Sequence, residues 1–157
     1  VILSSYDHYM PADGSASSWQ VTPTLWQRGL RRTYAQLSGA GIKTVVIRGT
    51  PRAGFDVPAC LSRWANRSPF QLHDCEYSLS ESLSPVAVRA QDTAARGLRG
   101  IAFADMNDQF CSGDRCAPIR GGAIVFRDDD HLTATFSRSV APILADRLHA
   151  ALSGIAR

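Results

Sequence analysis

The sequence predicts an α/β fold built on a parallel sheet. Three observations lead there. Short apolar runs (VILSS at 1–5, IKTVVIRG at 42–49, IAFA at 101–104) are the length of buried strands. Segments with helical spacing of apolar residues lie between them. Strand, helix and strand follow one another with short connections, which is the pattern of a βαβ unit. The chain has 157 residues, the size of one domain. Apolar residues make up 45% and charged residues 20%, an ordinary globular balance that excludes a disordered chain.

Residues 1–5 form the first strand, and the Pro-, Gly- and Ser-containing stretch 6–21 is a loop. Thr22 caps a helix with Pro23 at its first position, where the missing N–H costs nothing. Leu25, Trp26, Leu30, Tyr34 and Leu37 make its apolar face, and Gly39 and Gly41 end it. Residues 42–49 form a strand buried on both faces. Thr50 to Cys75 reads as a long irregular segment, placed after a strand's carboxyl end where α/β folds carry their sites. Ser84 caps a second, alanine-rich helix, Pro85 to Gly97, and 101–104 is the third strand, followed by Asp105. Gly121 to Asp128 holds a short strand or hairpin arm. After RDDDHL (127–132), Leu132 and Thr133 begin a long amphipathic helix with Thr133 as its cap, reaching about Leu152. Phe136, Val140, Ile143, Leu144, Leu148 and Leu152 face inward along it, and Pro142 either kinks it or marks its start.

The formal charge is +3, and only Arg28, Arg31 and Arg32 cluster, at helical spacing. That is a solvated helix face and not a nucleic-acid footprint. No apolar run approaches the roughly 18 residues of a membrane span, and the opening residues are not expected to be a signal peptide. The chain opens inside a strand without a Met, so Val1 is expected not to be the biological N-terminus. Four cysteines in loop-like surroundings suggest two disulfides and an oxidising compartment. Of three connectivities, the local pairing Cys60–Cys75 and Cys111–Cys116 is preferred. Zinc is the weaker alternative, since no C-x-x-C occurs and no histidine stands at ligand spacing.

The triplet Asp128, Asp129 and Asp130 followed by His131 admits three readings. It can be a solvated acidic turn with one satisfied histidine, which is the ordinary meaning of a lone D-x-x-H. It can hold a hard cation through carboxylate oxygens, although it lacks the spaced ligands and central glycine of a calcium loop. Or Asp128 orients His131 as an acid–histidine pair, accepting from one ring nitrogen and leaving the other free.

The segments T-P-R-A-G-F-D-V-P-A-C-L, F-A-D-M-N-D-Q-F-C-S-G-D-R-C and G-G-A-I-V-F-R-D-D-D-H-L-T, in that order, resemble the SGNH (GDSL-type) esterase domain. The resemblance runs from Val1 to about Leu152. It is closest to the version fused behind the multi-pass membrane part of acyltransferase family three, the bacterial surface-polysaccharide O-acyltransferases. It implies a flavodoxin-like three-layer α/β/α fold and Ser-His-Asp acyl transfer, with His131 as general base and Asp128 as its orienting carboxylate. Asp129 and Asp130 receive no role and are expected to face solvent and hold the turn.

The family's nucleophile lies in a G-D-S motif after the first strand, and this sequence has none. Asp13-Gly14-Ser15 reads in the wrong order, Ser112-Gly113-Asp114 lies in the cysteine turn, and Ser4 and Ser5 end a strand matching a later one of the family. The serine and its strand are therefore expected upstream of Val1, making residues 1–157 the C-terminal portion of a single domain. Where wider SGNH enzymes carry an oxyanion asparagine, this chain reads S-S-Y-D-H-Y, leaving Tyr6 or a backbone N–H as substitute. His8, His73 and His149 are read as structural. The resemblance implies an extracytoplasmic acyl (acetyl) esterase or O-acyltransferase acting on a cell-surface glycan. Its partners would be an acylated or acyl-accepting carbohydrate, a fused membrane acyltransferase domain upstream, and in one arrangement a separate chain carrying the missing segment. Neither cofactor nor metal is implied. The alternative is a catalytically silent binding or scaffold domain on the same fold.

Overall fold

The computed structural model describes residues 1–5, 22–65 and 74–155. In chain order the elements are β1 (Ile2–Ser4), α1 (Pro23–Gly39), β2 (Thr44–Ile47), α2 (Val57–Ala65), β3 (Tyr77–Ser78), α3 (Leu79–Ser82) and α4 (Pro85–Ala95). They continue with β4 (Ile101–Ala104), α5 (Asn107–Phe110), β5 (Cys111–Ser112), β6 (Arg115–Cys116), β7 (Ile119–Arg120), β8 (Ala123–Ile124) and α6 (Ala134–Gly154). The chain divides into two compact units. The first holds Val1–Gly49, Ser84–Asp105 and Ala145–Arg157, and the second holds Thr50–Leu83 and Met106–Leu144.

The first unit carries the parallel sheet, in the order β1-β2-β4. Val45 faces Ile2 on one side and Ala102 on the other, and Val46 faces Leu3 and Phe103. Thr44, Val45 and Val46 of the central strand are buried, as a strand covered on both faces requires. The Thr22 Oγ1 accepts from Leu25 N at 3.3 Å to start α1. Its far end closes as a Schellman motif, with Gly41 at φ 68° and Ile42 N donating to Leu37 O at 2.9 Å. Tyr34 on α1 packs with Val46 and Ala94, while Leu25, expected on the same inner face, is 57% exposed. Along α4 the buried residues are Ala87, Ala90, Gln91 and Ala94, and three small side chains let α1 pack closely against it. Arg28, Arg31 and Arg32 are exposed as expected, and Arg31 has a further task. Its guanidinium donates to the Ala94 and Arg96 carbonyls at 3.1 and 2.6 Å, satisfying the end of α4. Arg48, just past β2, lies 3.9 Å over the Phe103 ring and pairs with Asp92 at 2.5 Å.

The second unit is built around Val57, Cys60, Leu61, Cys75, Met106, Phe110, Val125, Phe126 and Phe136. Both disulfides form in the expected pairing and both lie in this core. Cys111 and Cys116 face each other across the β5–β6 hairpin. Phe126 lies between Phe110 and Tyr77 at ring-centroid distances of 6.1 Å each, and Phe110 meets Phe136 edge-on at 5.4 Å.

Two sequence expectations change here. The segment Thr50–Cys75 is not irregular throughout, because α2 occupies Val57–Ala65. Val57, Cys60, Leu61 and Trp64 recur at 57, 60, 61 and 64, the spacing of a buried helix stripe, and Asp56 caps it by accepting from Ala59 N at 2.8 Å. Leu132 does not begin the last helix; it bridges back to Phe126 in an antiparallel pair, and α6 begins after Thr133. That helix runs on through Pro142 to Gly154, giving Ala134–Leu144 to the second unit and its remainder to the first. A parallel sheet with flanking helices is the mixed α/β class that the sequence predicts, consistent with a three-layer α/β/α fold.

Candidate active site

The site is a short turn held at both ends by buried residues. Gly121 and Gly122, at φ 56° and 77°, make the tight turn between β7 and β8, where both central residues need positive φ. Val125 and Phe126 then enter the core with no exposed surface. Phe126 and Leu132 pair, and Arg127 N donates to His131 O at 2.8 Å, so that the chain between them stands out as a closed turn. Thr133 finishes it. Its hydroxyl donates to Ile124 O at 2.5 Å and accepts from Phe136 N at 3.1 Å, capping α6.

Within the turn, Asp128 Oδ1 accepts from His131 N at 2.7 Å and from Asp130 N at 3.1 Å. These bonds are the local side-chain-to-backbone bonds that make aspartate a turn residue. The same carboxylate faces His131 Nδ1, at 3.1 Å from Oδ1 and 3.0 Å from Oδ2. The Asp128 carboxyl is held below its ordinary value, first by the His131 backbone N–H; desolvation opposes this, and the Asp130 N–H and the imidazole add smaller lowering effects. An ionised carboxylate only accepts, so Nδ1 carries the ring hydrogen and the lone pair lies on Nε2. The His131 side chain is 63% exposed, and among the described residues no hydrogen bond occupies Nε2. Asp128 and His131 thus stand as an oriented histidine with its basic nitrogen open to an incoming group. Arg127 approaches Asp128 only at 3.8 Å from an exposed position, too loosely to add much.

The two intervening aspartates part ways. Asp129 holds the turn as expected, pairing with Arg52 at 2.5 Å. Its carbonyl accepts from Ala53 N and Gly54 N, and the Asp128 carbonyl accepts from Val57 N at 3.3 Å, so residues 52–57 grip the turn from one side. Asp130 departs from expectation. Its side chain is only 16% exposed, and Oδ1 lies 2.9 Å from His131 Nδ1. Arg52 and Asp130 are the neighbours that sequence reasoning missed. Asp130 adjoins the histidine, but nothing in a D-D-D run says which carboxylates turn inward; Arg52 is far away in sequence.

The metal reading through three aspartates does not match this arrangement, because Asp129 turns to Arg52. The atoms that converge within 4.8 Å belong to Asp128, Asp130 and His131.

Ser4 is exposed and Ser5 half-buried at the end of β1, and Ser5 Oγ has no hydrogen-bond partner among the described residues. Ser112-Gly113-Asp114 forms the β5–β6 turn, where Asp114 accepts from Ser78 Oγ at 2.7 Å and Ser80 N at 2.8 Å. That aspartate serves the backbone. No described serine bonds to His131. Tyr6, His8, His73 and Asp13-Gly14-Ser15 lie outside the described residues, and His149 is exposed on α6.

The chain thus combines a parallel α/β sheet with a carboxylate-oriented histidine just before its last helix. The comparison with known families names the group: residues 1–146 match the SGNH domain (fused to AT3 domains), and the chain belongs to that family. It is therefore an SGNH domain of the acyltransferase-associated kind. Searches of curated proteins and of solved structures each return no match.

Proposed function

We propose that this chain is the C-terminal portion of one extracytoplasmic SGNH domain that moves an acyl group, acetyl in the simplest case, onto or off a hydroxyl of a cell-surface glycan. His131 is the general base and Asp128 its orienting carboxylate. The nucleophilic serine is supplied by residues outside this chain. The observation that carries the reading is the Asp128–His131 pair, with Nδ1 held at 3.0 Å and Nε2 open, in a member of the SGNH family.

In the first half-reaction Nε2 takes the serine proton as the serine oxygen attacks the acyl carbonyl. The imidazolium then returns that proton to the departing oxygen, leaving an acyl-serine. In the second, Nε2 takes a proton from the acceptor, a sugar hydroxyl or water, whose oxygen attacks the acyl-serine. The proton goes back to the serine, and base and nucleophile are restored. Asp128, held ionised by two backbone N–H groups, stabilises the imidazolium in both halves. Two disulfides fit an oxidising compartment, and no helix among the described residues is long and apolar enough to cross a membrane. A family described as fused to AT3 domains supports a membrane acyltransferase part as the acyl donor's route.

The second reading, a silent scaffold, draws on the missing G-D-S: a base and its orienter with no serine have nothing to activate. A fluorophosphonate probe followed by mass spectrometry on the AT3-fused protein decides between them. The expected result is one serine upstream of Val1 labelled in the wild type and unlabelled in His131→Ala. A wild type that takes no label favours the scaffold, and equal labelling in His131→Ala removes His131 from the mechanism.

A further inference from the structure

We propose that the outer face of α1 and α4 is an attachment surface for a bilayer that bears anionic lipid headgroups. The inference rests on the membrane part proposed above and not on the acyl-transfer chemistry.

The first unit holds ten lysines and arginines against five aspartates, and the second holds seven against nine acidic residues. The +3 of the chain is therefore +5 in one unit and −2 in the other. The excess is displayed on one helical layer. In α1, Tyr34 is buried and Leu30 half-buried, and Arg32 stands two residues from each, on the far side of the helix. Leu25, Arg28 and Arg32 follow at i, i+3 and i+7, and all three are exposed. In α4 the buried residues are Ala87, Ala90, Gln91 and Ala94, while Arg89, Asp92 and Arg96 repeat that spacing on the exposed side. The two faces adjoin, because Arg31 of α1 donates to the Ala94 and Arg96 carbonyls at the end of α4. No acidic residue occurs in α1, and the Asp92 charge is met by Arg48 at 2.5 Å. Among the described residues no carboxylate pairs with Arg28, Arg32, Arg89 or Arg96. Four guanidiniums without a counter-charge on one layer make a positive field that an anionic surface neutralises.

Leu25 selects the kind of anion. It is 57% exposed and shares its face with Arg28 and Arg32. An apolar side chain among arginines suits a helix lying on a bilayer, where the cations meet headgroups and the leucine enters the boundary of the acyl chains. A soluble acidic glycan would use the arginines and gain nothing from the leucine. The AT3 part to which this family is fused, read above as the membrane part, keeps the domain near a bilayer. At the high effective concentration of a tether, a weak contact suffices to hold this face down.

The test is co-sedimentation of the 157-residue chain with vesicles of phosphatidylcholine alone or mixed with phosphatidylglycerol in equal parts. The wild type is expected to pellet with the anionic vesicles only, and to be released when salt rises from about 0.1 M to about 1 M and the screening length falls to about 3 Å. Each arginine near an anionic surface strengthens partitioning about fivefold, so Arg28→Gln with Arg32→Gln should weaken it about 25-fold, and adding Arg89→Gln with Arg96→Gln should abolish it. Arg28→Lys with Arg32→Lys keeps the charge and should bind as the wild type does. Leu25→Ser should weaken partitioning about fivefold. Arg63→Gln with Arg138→Gln removes two exposed charges from the second unit and should leave binding unchanged. Scanning calorimetry of every variant should show the wild-type Tm, which separates loss of the face from loss of the fold. The proposal is overturned if the wild type fails to pellet with anionic vesicles or pellets equally with neutral ones. It is also overturned if the Arg63/Arg138 variant loses as much as the Arg28/Arg32 variant. Unchanged binding in Leu25→Ser together with displacement by soluble polygalacturonate would assign the face to an acidic glycan instead. None of these readouts involves His131 or the serine, so their failure leaves the acyl-transfer reading to its own probe.

Discussion

Removing the Cys60–Cys75 disulfide should loosen the second unit in a measurable and ordered way. Cys60 lies on α2 and Cys75 follows residues 66–73, with a sequence separation of 15 between the two. A cross-link closing a loop of that length removes chain entropy from the unfolded state equivalent to about 3 kcal/mol, and one closing the five-position loop of Cys111–Cys116 about 2 kcal/mol. For a chain of 157 residues, 1 kcal/mol moves Tm by about 2–4 °C. The double substitution Cys60→Ala with Cys75→Ala is thus expected to lower Tm by about 6–12 °C, and Cys111→Ala with Cys116→Ala by about 4–8 °C. Differential scanning calorimetry of the three proteins at one pH without reductant reads both shifts. The effect reaches the candidate site, because Val57 N, on the same helix as Cys60, donates to the Asp128 carbonyl. An unchanged Tm in the Cys60/Cys75 variant, or a larger fall in the Cys111/Cys116 variant, would refute the reasoning. Either result would mean that strain or residual unfolded structure outweighs loop closure.

Three further outcomes are expected. The Asp128 carboxyl is lowered below its ordinary value of 3.8, so it contributes stability that is fully present above that value and is lost as pH falls through the folded pKa; the stability difference between wild type and Asp128→Asn in urea titrations should be constant near neutrality and shrink below about pH 4. Arg52→Ala frees Asp129 from a partly exposed pair, so thermal unfolding should change by under about 1 kcal/mol, while kcat of the AT3-fused protein falls several-fold through a looser turn. Phe136→Ala empties a buried position against Phe110 and should cost about 3–5 kcal/mol in denaturant unfolding.

The parallel sheet is legible because its strands are short apolar runs, two of them opened by Gly41 and Gly100, and the expected strand 101–104 matches to the residue. The caps at Thr22 and Ser84 were legible because each hydroxyl stands directly before a proline-led helix. Local disulfide pairing followed from spacing. What failed was of two kinds. In α2 the helical stripe is masked by Pro58 and the neighbouring Gly54 and Asp56, which resemble loop chemistry, although a proline in the first turn belongs in a helix. For Asp130, Leu132 and Arg52 no local signal exists. Whether a carboxylate in a run turns towards a ring, whether Leu132 continues a helix or pairs with Phe126, and whether Arg52 reaches Asp129 are settled by contacts distant in sequence or by packing. The Asp128–His131 pair is nameable from spacing and resemblance together; spacing alone favours a solvated turn.

The bridge between Phe126 and Leu132 separates two kinds of constraint on neighbouring residues. The anchor positions answer to the core: Phe126 is wholly buried, and Leu132 packs against the same cluster. Between them the Asp128 and Asp129 carbonyls and the Arg52–Asp129 pair hold the turn, while the exposed His131 side chain answers to chemistry alone. Selection can therefore change His131 without unfolding what holds it. Along a lineage, such a domain can lose its reaction through one exposed side chain and still be made, folded and kept, or regain it by the reverse change. A conserved turn around a changed histidine would be the signature of that history.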